Sequence, residues 1–330
     1  MTFGRVLARV LMVLLTATLA VAETSDGWRQ VSPGYQLQLP RDHASHPAYR
    51  VEWWYYTGNV AGDDGRHYGY QLTFFRIGVD PAPANPSRWA VRDLFVAHLA
   101  VTDIDGSSYA FAERANRAGV GWAGAATDHY RVWNDDWSAS LDGQTGRHVL
   151  DARDGPIGVS LELEPVRPAA LNGMLGYSQK GADAGNASEY YSLTRMTTRG
   201  TIVTGGRAVT VEGLSWMDHE FGTSLLEPGQ TGWDWFSIQL DDGTDLMVFQ
   251  LRRADGARDV HSSGTLVDPT GASSSLRFGD FDLAPGRRWR SPASSAEYPV
   301  AWRVEIPSRH LGLDVRAAVD DQELRTDRST

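Results

Sequence analysis

Hydrophobic and polar positions along this chain alternate with a period of two far more often than they recur every three or four residues. Tyr68-Gly69-Tyr70-Gln71-Leu72-Thr73-Phe74-Phe75-Arg76, Val96-Ala97-His98-Leu99-Ala100-Val101 and Val159-Ser160-Leu161-Glu162-Leu163-Glu164 all read this way. Such alternation puts successive side chains on opposite faces of a strand. Glu52-Trp53-Trp54-Tyr55-Tyr56-Thr57 predicts another strand, which Gly58-Asn59 is expected to end. Asp63-Asp64-Gly65, Asp105-Gly106, Asp142-Gly143, Asp241-Asp242-Gly243 and Pro269-Thr270-Gly271 mark the turns. After the first 22 residues no long segment has helical periodicity. The pattern predicts an all-β protein, a sandwich or a barrel.

The pattern also repeats. Trp54 precedes an Asp-Asp-Gly turn and Gln71, and Trp233 precedes a second Asp-Asp-Gly turn and Gln250, with 17 residues from Trp to Gln in both copies. Two related β-domains are expected, 23–200 and 201–330, with the joint among Thr197-Thr198-Arg199-Gly200 and Gly205-Gly206.

Composition narrows the function. Arg5 and Arg9, the apolar run Val10–Ala20 and Ala20-Val21-Ala22 resemble a cleavable signal peptide over residues 1–22, with cleavage near Ala22. The run is too short for a stable membrane anchor, so a periplasmic or secreted protein with no transmembrane anchor in the mature chain is expected. Cleavage takes the net charge from −10 to −12, which argues against nucleic acid and anionic lipid surfaces as partners. The chain has no cysteine, which excludes disulfides, thiolate metal sites and cysteine nucleophiles. Lys180 is its single lysine. Twelve tryptophans suit a wide core or an aromatic pocket.

Acid-base groups concentrate in Ser215-Trp216-Met217-Asp218-His219-Glu220-Phe221-Gly222-Thr223. In an extended strand Trp216, Asp218 and Glu220 face one way and Met217, His219 and Phe221 the other. A carboxylic acid beside Trp216 in an apolar barrel acquires a raised pKa, which makes Asp218 a candidate proton donor and His219 a candidate to position or deprotonate water. His219, Asp218 and Glu220 are therefore the candidate catalytic residues. Glu52, if buried, needs Arg50 or Arg76 as partner, and His98 reads as a satisfied core histidine. His43-Ala44-Ser45-His46 has the spacing of a weak metal pair, and the two Asp-Asp-Gly stretches resemble fragments of calcium loops; hairpin turns account for them better. No metal or cofactor is expected. No G-x-S-x-G is present, so hydrolysis ranks low.

Asp42, His46-Pro47, Tyr49-Arg50, Glu52-Trp53-Trp54-Tyr55-Tyr56-Thr57-Gly58, Gln71–Arg76, Ala97-His98, Tyr190-Tyr191-Ser192, Gly213–Phe221 and Asp234-Trp235-Phe236 together resemble the secreted AttH-like proteins. These are similar to carotenoid 1,2-hydratases and are often labelled predicted secreted hydrolases. The resemblance spans roughly residues 28 to 323. It implies two lipocalin-like β-barrels, the second short of closing strands because the chain ends at Thr330, and such barrels enclose one small apolar ligand. Phe221 stands where the hydratases carry a tryptophan two residues after the histidine. The expected ligand-binding residues are Trp53, Trp54, Tyr55, Trp216, Phe221, Trp233 and Trp235. The first expectation is an exported protein that binds a hydrophobic small molecule, an isoprenoid or a fatty-acyl lipid. The second is a hydro-lyase adding water to an isoprenoid-type double bond through Asp218 and His219. The third is an envelope protein that meets its partner through exposed tryptophans. The oligomeric state is left open.

Overall fold

The computed structural model describes residues 26–87, 89–223 and 226–326. Residues 1–22, the expected signal peptide, lie outside them. Nine strands come first: β1 (Val51–Gly62), β2 (His67–Gly78), β3 (Asp93–Asp103), β4 (Ser108–Arg117), β5 (Ala123–Ala125), β6 (Arg131–Asn134), β7 (Trp137–Leu141), β8 (His148–Asp154) and β9 (Ile157–Pro165). Two short strands, β10 (Ala170–Leu171) and β11 (Tyr177–Gln179), precede the two longest, β12 (Ala187–Thr204) and β13 (Arg207–Gly222). All join one antiparallel sheet in the order β4-β3-β2-β1-β13-β12-β9-β8-β7-β6-β5, with β10 and β11 also paired to β12. A bridge from Ala118 to Ala123 brings the two ends of this order together, so the sheet curls into a nearly closed barrel.

Alternation decides what fills it. On β1 the side chains of Glu52, Trp54, Tyr56 and Val60 are buried, while Trp53, Tyr55 and Thr57 on the other face are partly exposed. The inward sets of β1, β2, β3, β12 and β13 merge with those of β6 to β9 into one core that includes Trp54, Tyr56, Leu72, Phe74, Tyr130, Trp137, Tyr191 and Met217. Gly58 does not end β1, which runs on to Gly62. Its missing side chain makes room instead: a Cβ there would sit 2.5 Å from both Ser215 Oγ and Tyr70 Cε1. Those two groups need the space, because Tyr70 and Thr198 hydroxyls both hydrogen-bond Ser215 Oγ, at 2.6 Å each.

The second half contains β14 (Gln230–Gln239), β15 (Asp245–Arg253), β16 (Ser263–Val267), β17 (Ser273–Leu276), β18 (Asp282–Pro285), β19 (Arg288–Arg290), β20 (Glu297–Pro299), β21 (Ala301–Ile306) and β22 (Leu311–Arg316). They form a four-stranded sheet β14-β15-β16-β17, a three-stranded sheet β18-β21-β22 and a ribbon β19-β20. Leu246, Val248, Leu266, Phe281, Val304 and Ile306 give this half its own core. The expectation of a second barrel is met only in part, because hydrogen bonding does not run continuously around these sheets. A division at 200/201 falls inside β12, and the large sheet continues to Gly222. Both acidic turns close hairpins, β1–β2 at Ala61↔His67 and β14–β15 at Gln239↔Asp245, but Gln71 faces Thr57 whereas Gln250 faces Asp234, so the 17-residue spacing does not mark equivalent positions. Asp64 and Asp242 accept backbone N–H bonds from Arg66 and Thr244 in those turns, the work of turn residues.

Two features position the site. The segment before β1 packs Val31, Tyr35, Leu37 and Tyr49 against Tyr177, Ala187 and Phe221, covering one end of the barrel and carrying a short 3₁₀ turn, Arg41–His43. The two halves are tied by Asp245, fully buried, which accepts from Thr194 Oγ1 at 2.7 Å and from Arg195 Nη2 at 2.7 Å and lies 3.2 Å from Arg167 Nη1.

Candidate functional site

β13 is a wall with two faces. Its partners β1 and β12 pair in register on either side, Trp54↔His219 and Tyr191↔His219, Tyr55↔Asp218 and Ser192↔Asp218. The period of two sends His219, Trp54 and Tyr191 into the barrel, and Asp218, Trp216, Glu220 and Tyr190 toward the second half. The sequence cluster therefore divides into two chemical environments, and Asp218 and His219 do not meet.

Inside the barrel, Glu52 and His219 are both fully buried and joined by a 2.9 Å bond from His219 Nε2 to Glu52 Oε1. Glu52 also accepts from Ser45 Oγ at 2.7 Å, from the His46 amide at 2.9 Å and from Arg76 Nε at 3.1 Å. Of the two expected partners, Arg76 is the one used: it lies between Glu52 and Asp93, 2.9 Å from the latter, while Arg50 pairs with Asp26. Burial alone would raise the Glu52 pKa, but the hydrogen bonds from His219 and His46 and the Arg76 charge hold it well below the usual carboxylate range. Glu52 is therefore an anion, and His219 Nε2 must carry a hydrogen to donate to it. Burial lowers the pKa of His219, against the opposing pull of Glu52 and of the Asp42 carbonyl; in the neutral ring with its hydrogen on Nε2, Nδ1 is the lone pair.

That assignment propagates. Tyr191 OH lies 3.0 Å from His219 Nδ1 and 2.5 Å from His43 Nδ1. Its hydrogen goes to the His219 lone pair, so its oxygen accepts from His43 Nδ1–H, and His43 Nε2 is left as the free lone pair. The result is one directed chain, Glu52 to His219 to Tyr191 to His43. Trp54 braces it, stacking on His219 with ring centroids 5.0 Å apart and donating its indole N–H to the His43 carbonyl at 3.1 Å. His43 faces His148 edge-on at 5.1 Å. His148 Nδ1 bonds Tyr56 OH at 2.9 Å, and Tyr56 OH bonds Tyr130 OH at 2.7 Å. Burial, reinforced by His148 and His219, lowers His43 to about 2, and burial lowers His148 to about 3. Both are neutral imidazoles. Burial pushes Tyr56, Tyr130 and Tyr191 well above 10, so all three keep their protons.

His46, Glu52 and His219 offer ligand atoms within 4.8 Å of one another. The Arg76 guanidinium on the same carboxylate opposes a cation there. His46 points to Glu52 and Asp42, away from His43, so the two histidines of the H-x-x-H pair diverge. His46 stacks on Phe221 at 3.6 Å, which places Phe221 at the covered end of the barrel.

On the other face of β13, Asp218 accepts from Ser192 Oγ at 2.5 Å, Trp216 Nε1 at 2.8 Å and Tyr190 OH at 2.9 Å. Burial nevertheless raises it to about 7, against the lowering pull of the Ser192, Trp216 and Tyr190 hydrogen bonds; the direction is the expected one, but Trp216 opposes it. Trp53, Trp233 and Trp235 line a small cavity of about 60 Å³ here, with Tyr190, Glu220 and Lys180. Tyr55 packs edge-on against Trp235 at 5.2 Å. Of the seven expected ligand-binding aromatics, Trp54 belongs to the barrel interior, Phe221 to its covered end, and the other five to the junction. The sequence does not single out His43, Tyr56, Tyr130, His148 and Tyr191 as one group, because they come from five separate parts of the chain; the signals were the His43–His46 pair and Tyr190-Tyr191-Ser192, neither of which reveals direction.

A nearly closed β-barrel with a directed acid-base chain in its interior defines the class. The AttH-like family model matches residues 30–329, and the chain belongs to the AttH-like family. A Nitrosomonas europaea protein assigned to AttH is 33% identical, superposes with a TM-score of 0.77, and matches over 84% of this chain and 83% of its own. Kievitone hydratase from Nectria haematococca shares the fold at 12% identity and a TM-score of 0.69, over 92% of this chain and 87% of its own. Dehydratase asqC of Emericella nidulans is 22% identical over 169 residues, 46% of this chain and 44% of that protein.

Proposed function

We propose that this protein is a hydro-lyase that adds water to, or removes it from, an apolar substrate in the barrel, next to a carbonyl group. The observation that carries this reading is the directed chain ending at the His43 lone pair. A proton taken by His43 Nε2 is matched by transfer of the Nδ1 proton to Tyr191 and of the Tyr191 proton to His219. The charge then comes to rest as a His219 imidazolium against the Glu52 carboxylate, rather than on His43, where burial opposes it. One hydroxyl hydrogen of Tyr56 and Tyr130 lies in the bond between them; with His148 Nδ1–H donating to Tyr56, the other is left for a substrate oxygen.

The interior offers a base and weak hydrogen-bond donors. Protonating an isolated double bond needs a stronger acid, and Asp218 lies across the wall. This favours carbon-acid chemistry beside a carbonyl over hydration of an isolated isoprenoid alkene. The hydratase and dehydratase names among the relatives agree with water addition and removal as the reaction class. Lipid binding without chemistry would use the same aromatic walls but leaves the relay without a task. Export, read from residues 1–22, belongs to the proposal and is tested by cell fractionation.

The test is mass spectrometry in H₂¹⁸O with three panels: enones, β-hydroxy ketones and isolated isoprenoid alkenes. Incorporation into enones, or water loss from β-hydroxy ketones, that vanishes in His43→Ala is the expected result. Turnover of isolated alkenes alone, turnover indifferent to His43, or no turnover in any panel overturns the proposal.

A further inference from the structure

The junction cavity holds chemistry that the barrel reading does not use. Lys180 is the one lysine among 31 basic residues, and its side chain is only 13% exposed. Its ammonium lies 3.0 Å from Glu220 Oε1, 4.2 Å from the Phe249 ring centroid and 5.1 Å from that of Tyr190. Its backbone is fixed at both ends, the amide donating to the Asn186 carbonyl at 2.8 Å and the carbonyl accepting from Gln230 Nε2 at 2.7 Å. Glu220 accepts a further hydrogen bond from Ser188 Oγ. Beside the ammonium is the cavity walled by Trp53, Trp233 and Trp235. Trp235 Nε1 donates to Tyr190 OH at 3.2 Å, which in turn donates to Asp218.

Pairing with a carboxylate and lying over aromatic rings are also within the reach of arginine, the base this chain uses at its other 30 basic positions. What a lysine can do there and an arginine cannot is form an imine with a simple aldehyde or ketone. We infer that Lys180 captures the carbonyl group of a small aldehyde or ketone as an imine within this junction cavity. In the step, Glu220 takes a proton from the ammonium and the freed amine nitrogen bonds to the carbonyl carbon. The carbon–oxygen bond then breaks and the oxygen leaves as water, with one proton from the nitrogen and one returned by Glu220. The sum is Lys–NH₃⁺ plus R–CHO giving Lys–NH⁺=CHR plus H₂O. The product keeps its positive charge, so it inherits the Glu220 ion pair and the Phe249 and Tyr190 ring faces. The aromatic walls select a flat apolar group.

The experiment incubates the full chain with benzaldehyde and cyanoborohydride, then maps adducts by peptide mass spectrometry. The expected result is one N-benzyl group on Lys180, formed at least about tenfold faster than on the α-amino terminus of the same protein. Glu220→Gln should slow it by about tenfold or more, as loss of one acid-base group does, while Lys180→Arg, circular dichroism unchanged, should leave only the terminal adduct. Labelling of Lys180 no faster than the terminus, or unaffected by Glu220→Gln in a folded variant, overturns the inference. Neither outcome depends on His43 or on the barrel reaction.

Discussion

Replacing Tyr191 by Phe tests the directed chain most sharply, because it removes one oxygen atom and keeps the ring. Among the described residues that oxygen is what links His43 Nδ1 to His219 Nδ1, at 2.5 and 3.0 Å. Without it a buried N–H and a buried lone pair lose their partner together. Each costs about 1–3 kcal/mol when left unsatisfied, so the variant should unfold about 2–6 kcal/mol more easily in urea. Catalysis should suffer separately. A base that can no longer pass its proton onward must hold an imidazolium at His43, where burial resists it. Losing one positioned proton-transfer group typically lowers rates about 10²- to 10⁴-fold, or roughly 2.7–5.4 kcal/mol in the barrier. The assay is kcat for water addition on whichever substrate the ¹⁸O panel identifies, beside near-ultraviolet circular dichroism to show that the variant is folded. If Tyr191→Phe loses stability but keeps kcat within about tenfold, Tyr191 is a structural bridge and the relay is refuted.

Three further outcomes are expected. Arg76→Leu leaves Glu52 and Asp93 buried without their shared cation and should cost about 3–5 kcal/mol in chemical denaturation. Gly58→Ala places a methyl group against Tyr70 and Ser215 and should cost about 1–3 kcal/mol, read in the same way. Glu189 is buried with neither carboxyl oxygen hydrogen-bonded among the described residues, and burial raises it from 4.5 to about 8. The folded state therefore holds this proton more tightly than the unfolded chain. Its stabilising effect is complete below about pH 4.5 and is lost as pH rises toward 8, at most about 1.4 kcal/mol per pH unit. Urea titrations between about pH 5 and pH 8 should show that slope in the native protein and not in Glu189→Gln.

How much of this was legible in the sequence follows from which signals are local. Alternation is local, so the strands and the two acidic hairpins were readable. The Trp216–Asp218 contact is local too, two residues apart on one face, but its hydrogen bond lowers the Asp218 carboxyl; the rise comes from burial under the second half, which the sequence does not show locally. Gly58 misled because a glycine that ends a strand and one that admits a tyrosine ring opposite look identical without the partner strand. The barrel interior was illegible for a different reason. Tyr191 meets His219 across a β12–β13 pairing, and His43 arrives from a loop that spans the barrel's end. Only register brings them to one point. The same arithmetic separated Asp218 from His219, and there the alternation had already given the warning.

The strand β13 carries a demanding constraint. Neighbouring residues on it serve different chambers, so its history of change cannot proceed one residue at a time. A single insertion anywhere between Gly213 and His219 would rotate the remainder by half a pleat, delivering Asp218 or Glu220 into the barrel and evicting the histidine. Two insertions together would restore both sets. Length variation along this wall should therefore come in even steps or be absorbed by a bulge, as β12 already does between Leu193 and Met196. A library of one- and two-residue insertions would show the parity directly, with folding and activity surviving only the even members.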